Sequence, residues 1–107
     1  MIEICNLRNN KPEFKYDVYI DRRSVLGNPF KMKKEIDRDL VCDHYENYFN
    51  FELRRKNNKI KNELLRLCEM YKKYGKLRLF CWCFPKKCHG ETIKYYILNI
   101  CNYNNII

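Results

Sequence analysis

The chain begins with Ile2-Glu3-Ile4-Cys5-Asn6-Leu7, where apolar and polar residues alternate with the period of a half-buried strand. Asn9-Asn10-Lys11-Pro12 breaks the pattern, and a second short strand is predicted from Tyr16 to Ile20. The connection between them is too short for a helical crossover, so the two strands are either an antiparallel pair or not neighbours. Asp21 to Phe30 reads as a loop. From Ile36 the period lengthens. Ile36, Leu40, Val41, His44 or Tyr45, Tyr48, Phe49 and Leu53 recur at helical spacing and form an aromatic-rich stripe to set against a core. Asn57-Asn58 interrupts it, and Ile60, Leu64, Leu67, Tyr71 and Tyr74 then mark the clearest helix in the chain. Gly75 stands where a left-handed C-cap belongs, with Lys72 and Lys73 in the last turn, where cations favour the helix dipole.

Leu77 to Phe84 leaves no room for a helix between Gly75 and Pro85, and its apolar density predicts a central strand covered on both faces. The last helix starts near Gly90, presents Ile93, Tyr96, Ile97, Ile100 and Cys101 on one face, and frays from Asn102 to Asn105. The order β-β-α-α-β-α makes an α/β fold, a single compact domain over residues 1–107 with a small sheet flanked by three helices.

A chain of 107 residues can bury one modest core. Its 22 Lys and Arg against 13 Asp and Glu give a net charge of +9, which suits a polyanionic partner, a nucleotide or a nucleic acid. A merely solvated basic surface is the alternative. Four of the seven cysteines, Cys5, Cys42, Cys68 and Cys101, sit singly in apolar stretches and are expected in the core. Glu3 at the start of the chain speaks against a secretory signal, so a cytoplasmic protein with reduced thiols is expected. No stretch is apolar enough to span a bilayer, and no membrane partner is expected.

The chemistry concentrates at the exit of the central strand, Cys81-Trp82-Cys83 followed by Pro85 and Cys88-His89-Gly90. Ligands of α/β sheets gather at the carboxyl ends of strands. A helix opening at Gly90 would aim free N–H groups at an anion, with Lys86 and Lys87 adding to the field, unless Gly90 only makes a turn. Cys88 in that field is the candidate nucleophile, with His89, or else His44, as its base. Cys81, Cys83, Cys88 and His89 could instead form a Cys₃His zinc site, but a C-x-C pair on a strand does not have the usual C-x₂₋₄-C ligand spacing, so no metal is expected. The loop Asp21-Arg22-Arg23-Ser24-Val25-Leu26-Gly27-Asn28-Pro29-Phe30 is the second candidate. Gly27 allows a positive φ and Pro29 forces Asn28 to be extended, while Arg22, Arg23, Ser24 and Asn28 supply donors suited to phosphate, ribose or a base edge. Phe30 or Tyr19 could stack on a base, with an ordinary Gly-Asn-Pro turn as the plainer alternative.

Three motifs, Asn6-Leu7-Arg8, the stretch from Tyr16 through Arg22 to Gly27-Asn28-Pro29-Phe30, and Cys81-Trp82-Cys83-x-Pro85-x-x-Cys88-His89-Gly90-Glu91, occur in this order. Together they resemble a small family of bacteria, phages and other viruses, domain of unknown function 4326. The last motif resembles more weakly a second family, in which Gly90 is replaced by arginine. The first resemblance implies that Arg8, Arg22, Ser24, Asn28, Cys83, Cys88 and His89 share one pocket in a small Rossmann-like sheet of phage or viral origin. It supplies no reaction.

The expectation is therefore a domain that binds a nucleotide or phosphorylated nucleoside. Arg8, Arg22, Ser24, Gly27, Asn28, Cys83, Lys87 and Gly90 would form the ligand pocket, with Trp82 packed beneath and Cys88 and His89 catalytic if it is an enzyme. The alternative is a non-enzymatic nucleic-acid- or protein-binding regulator whose Cys and His are structural.

Overall fold

In the computed structural model, residues 1–55, 58–84 and 86–106 are described, with the backbone alone for residues 102–106. Three short strands, β1 (Ile2–Asn6), β2 (Asp17–Tyr19) and β3 (Leu77–Cys81), form one sheet in the order β1-β3-β2, with both pairings parallel. β1 and β2 are thus not neighbours, the second of the two options their short connection allows. β3 lies between them, as its apolar run requires: Leu77, Leu79, Phe80 and Cys81 are buried, and Ile4 pairs with Leu79 on one side while Val18 pairs with it on the other.

Helices α1 (Arg38–Leu53), α2 (Lys59–Tyr74) and α3 (Gly90–Ile106) complete the α/β fold, with α1 entered through a 3₁₀ turn at Glu35–Asp37. α2 follows its sequence pattern closely: Ile60, Leu64, Leu67 and Cys68 are buried. The Asn58 side chain caps its first turn by accepting from Lys61 N–H at 2.8 Å, and Gly75 ends it at φ 68°. The predicted interruption at Asn57 lies outside the described residues.

α1 departs from expectation in its first turn. Ile36 and Leu40 are 86% and 55% exposed, while Cys42, Tyr45 and Phe49 form the buried face. The stripe starts one turn later than the apolar pattern suggests, because the entry to α1 is built by Arg38 and Glu35 instead of by packing. β3 also stops at Cys81 instead of Phe84. Asn6 Nδ2 donates to the carbonyls of Trp82 and Phe84 and turns the chain away from the sheet. α3 begins at Gly90 as predicted, and its backbone continues to Ile106 where fraying from Asn102 was expected.

The core joins sheet and helices through Tyr45, Phe49, Leu64, Leu67, Leu79, Ile93 and Ile97, each almost fully buried, as are the four singly spaced cysteines Cys5, Cys42, Cys68 and Cys101. On the sheet, Asp17 pairs with its register neighbour Arg78 at 2.8 Å and also accepts the N–H groups of Glu13 and Phe14.

Candidate binding cleft at the strand ends

A cleft of about 630 Å³ opens where β2 and β3 end. One wall is the loop that follows β2, the opposite wall is α1, and the floor is the turn between β3 and α3. It therefore occupies the carboxyl-end position where α/β sheets hold ligands. Phe30, Met32, Val41 and Trp82 supply apolar surface, and four cationic side chains, Arg22, Arg23, Arg38 and Lys87, stand against a single carboxylate, Asp21.

The loop wall is built from local hydrogen bonds that its sequence encodes. Ser24 Oγ accepts from Leu26 N–H, Asn28 Oδ1 accepts from Phe30 N–H, and Ser24 N–H donates to the Asp21 carbonyl. Gly27 does not use the positive φ that glycine allows. Among the described residues the positive-φ glycine is Gly75, whereas a Cβ at Gly27 would meet the Asp21 carbonyl oxygen at 2.5 Å and Arg22 Cα at 2.7 Å. Close approach of two backbone segments, not handedness, demands glycine.

Tyr45 then ties this loop to α1 by donating its buried hydroxyl to the Leu26 carbonyl at 2.7 Å. Tyr45→Phe leaves that carbonyl without a partner and is expected to destabilise the chain by about 1–3 kcal/mol, read as a lower denaturant midpoint with unchanged slope.

Arg22 uses its Nε–H on the Asn28 carbonyl at 3.2 Å, which leaves its four terminal N–H groups without a partner among the described residues. Arg38 is more committed. It grips Glu35 with two N–H groups and the Lys87 carbonyl with a third, so two of its five remain. The same contact, strengthened by Lys86, holds the Glu35 carboxyl down at about 2. Arg23 is paired with Asp21 and lies 3.8 Å over the Tyr19 ring, so Tyr19 is already covered and Phe30 is the ring left to the cleft. Trp82 does not pack beneath: it is half-exposed at the rim, its indole N–H donating to Asp21 at 3.1 Å.

The helix N-terminus is rearranged relative to expectation. Gly90 N–H points to Cys88 Sγ at 3.4 Å, while Glu91 N–H and Thr92 N–H bond to the carbonyls of Cys88 and His89. These donors are taken within the chain, and Lys86 and Lys87 face Glu35, Asp39 and Asp43. The cationic character of the cleft thus rests on the arginines and not on the helix end. A Cβ at Gly90 would lie 3.0 Å from Ile20 Cδ1 and 3.3 Å from Cys88 Sγ, a tight fit that asks those side chains to shift by a few tenths of an ångström.

Cys88 and His89 are both buried against the cleft, yet they bond to different partners. Cys88 Sγ faces Cys81 Sγ at 3.5 Å. The proton shared with Cys81, together with burial, pushes the Cys88 thiol well above its usual range. The thiolate expected on Cys88 is therefore favoured on Cys81. His89 donates Nε2–H to the Ile20 carbonyl and lies edge-on to Tyr45, with ring centroids 5.0 Å apart. His44 is exposed and packs on Phe30.

Burial holds the His89 imidazole below its usual pKa, with nearby Asp21 and Arg22 acting in opposite directions. An unfolded His takes up a proton near pH 6.5, which the folded His89 resists. Stability is therefore complete above that value and falls as pH drops below it. Denaturant midpoints at pH 7.5 and 5.5 are expected to differ in the wild type and to converge in His89→Gln.

Of the residues singled out from sequence, Arg22, Asn28, Cys83, Lys87, Cys88 and His89 line the cleft. Gly27 and Ser24 shape its loop wall from behind, Gly90 lies under its floor, and Arg8 is exposed outside it. Of the four residues considered for zinc, Cys83 lies beyond the strand beside Arg38, Cys81 faces Cys88, and His89 is bound to Ile20. Arg38, Met32 and Val41 went unnoticed as cleft residues. Arg38 stands between Asp37 and Asp39 in a charged stretch, and Met32 and Val41 are ordinary apolar positions, so no pattern sets the three apart.

No curated protein and no solved structure gives a significant match to the chain. Residues 5–99, which span all but the first four and the last eight residues, match the family model described as a domain of unknown function (DUF4326), and the chain belongs to that family.

Proposed function

We propose that the cleft binds a nucleotide or a phosphorylated nucleoside. The observation that carries this reading is the pairing, in one cleft at the strand ends, of apolar and aromatic surface with an Arg22 guanidinium whose terminal N–H groups have no partner among the described residues. The planar fork of an arginine matches the oxygens of a phosphate, and Phe30 and Trp82 offer faces to a base. About 630 Å³ is the size of an ordinary small-molecule site. The protein in this reading acts in the cytoplasm, where its free thiols stay reduced, and binding alone is proposed.

Calorimetry with a panel of nucleoside mono-, di- and triphosphates tests the reading. One member binding tightly, with affinity only modestly reduced between 50 and 200 mM salt, is expected. A nucleic-acid-binding protein would instead bind oligonucleotides with affinity falling steeply over the same range, because each neutralised phosphate releases a counterion. That result, or no heat from any nucleotide, overturns the proposal.

A further inference from the structure

Cys42, Cys83 and Cys88 line the inner part of the cleft, and Cys81 lies directly behind Cys88. Cys81 is the last residue of β3 and Cys88 lies two residues before α3, so the two sulfurs join sheet to helix across a turn. We propose that Cys81 and Cys88 are a redox-active dithiol, opening on the cleft through Cys88, that exchanges with small-molecule disulfides. The inference stands on thiol geometry and does not depend on what else the cleft binds.

The sulfurs are 3.5 Å apart, so closing to a disulfide bond length of about 2.05 Å asks for a small shift. The pair is also prepared to ionise. Cys81 is held down at about 6, foremost by the S–H of Cys88, against the effect of burial, and further by the N–H groups of Phe84 and Cys83. Thiolate character governs reactivity toward disulfides.

A second cysteine pair provides the contrast. Cys68 on α2 and Cys101 on α3 also interact, but burial pushes Cys68 up to about 12 and both belong to the helical core. That pair should stay inert.

Exchange proceeds in two balanced steps. The dithiol loses one proton, and the proton that remains passes across the 3.5 Å contact from Cys88 to the Cys81 thiolate as Cys88, the sulfur that lines the cleft, attacks one sulfur of a disulfide RSSR. The Cys88–S–S–R bond forms, the RS–SR bond breaks, and the expelled RS⁻ takes up the released proton as RSH. Cys81 then gives up its proton and attacks Cys88 Sγ, expelling the second RS⁻, which is protonated in turn. Two protein thiols are oxidised to one disulfide, and RSSR is reduced to two RSH. Forming the bond draws Cys88 Sγ away from Gly90 N–H and reshapes the cleft floor.

The test incubates the folded chain with oxidised and reduced glutathione at graded ratios, traps free thiols and maps tryptic peptides. Cleavage after Lys86 or Lys87 separates Cys81 from Cys88, so a crosslink between their peptides reports the bond. Cys83 shares a peptide with Cys81, and the Cys83→Ser variant removes that ambiguity. A crosslink that appears in wild type and Cys83→Ser, reverses with reduced glutathione and leaves Cys68 and Cys101 free is the expected result. A crosslink lost in Cys83→Ser, one formed only after denaturation, or none at any ratio overturns the proposal. None of these outcomes requires Cys81 or Cys88 variants to fold.

Discussion

Gly27→Ala is expected to destabilise the chain by roughly 3 kcal/mol, at the upper end of overpacking costs, because the new methyl group meets backbone and not a movable side chain. At about 4–8 °C per kcal/mol for a domain of this size, the melting temperature should drop by roughly 15 °C. The strain cannot be relieved locally. The Asp21 carbonyl that the methyl would strike accepts Ser24 N–H, and Gly27 N–H itself donates to the Ser24 carbonyl. Any shift therefore loosens the wall carrying Arg22 and Asn28. Gly27→Ala should lose ligand binding along with stability, whereas Tyr45→Phe, which frees the loop from α1 without forcing it open, should weaken both less. Thermal melts of the two variants check the order.

Arg22→Ala should leave the melting temperature nearly unchanged and weaken nucleotide binding about 10–100-fold. The side chain is exposed and makes one hydrogen bond to the fold, to the Asn28 carbonyl, so little structure depends on it. A charge-assisted hydrogen bond to an anion contributes about 1.5–3 kcal/mol, which corresponds to that loss of affinity. Arg22→Lys should recover only part of the binding, since an ammonium lacks the planar fork. Arg38→Ala would be a poorer probe, because Arg38 also holds Glu35 and the Lys87 carbonyl.

Periodicity and punctuation made most of the fold legible. The spacing of Ile60, Leu64 and Leu67 and the cap at Gly75 delimit α2, and the apolar run bounded by Gly75 and Pro85 marks β3 as central. Pattern failed where polar contacts decide the backbone. Asn6 ends β3 early by bonding across the sheet, and the Arg38–Glu35 pair, not Ile36 or Leu40, starts α1.

The site divides the same way. That the two loops would meet could be read from their positions at strand ends, and Arg22, Asn28, Cys83 and Cys88 do share one cleft. The identity of each partner was beyond the sequence. Whether Cys88 meets His89 or Cys81 depends on side-chain directions across a turn, and whether a helix end is open to an anion depends on which carbonyls and thiols reach it first. Gly27 could be singled out in the sequence, but that it answers a close backbone approach and not a left-handed turn shows only in three dimensions.

Trp82, the chain's single tryptophan, stands at the cleft rim with its indole bonded to Asp21, so its fluorescence reports occupation of the site itself. The most direct measurement is a titration of that fluorescence with each nucleotide, in wild type and Arg22→Ala. Saturable quenching by at least one nucleotide, shifted about 10–100-fold to higher concentration in the variant, is the predicted result. An unchanged signal with every nucleotide up to about 1 mM, the weak end of specific binding, or equal affinity in both proteins, would contradict the assignment of the cleft.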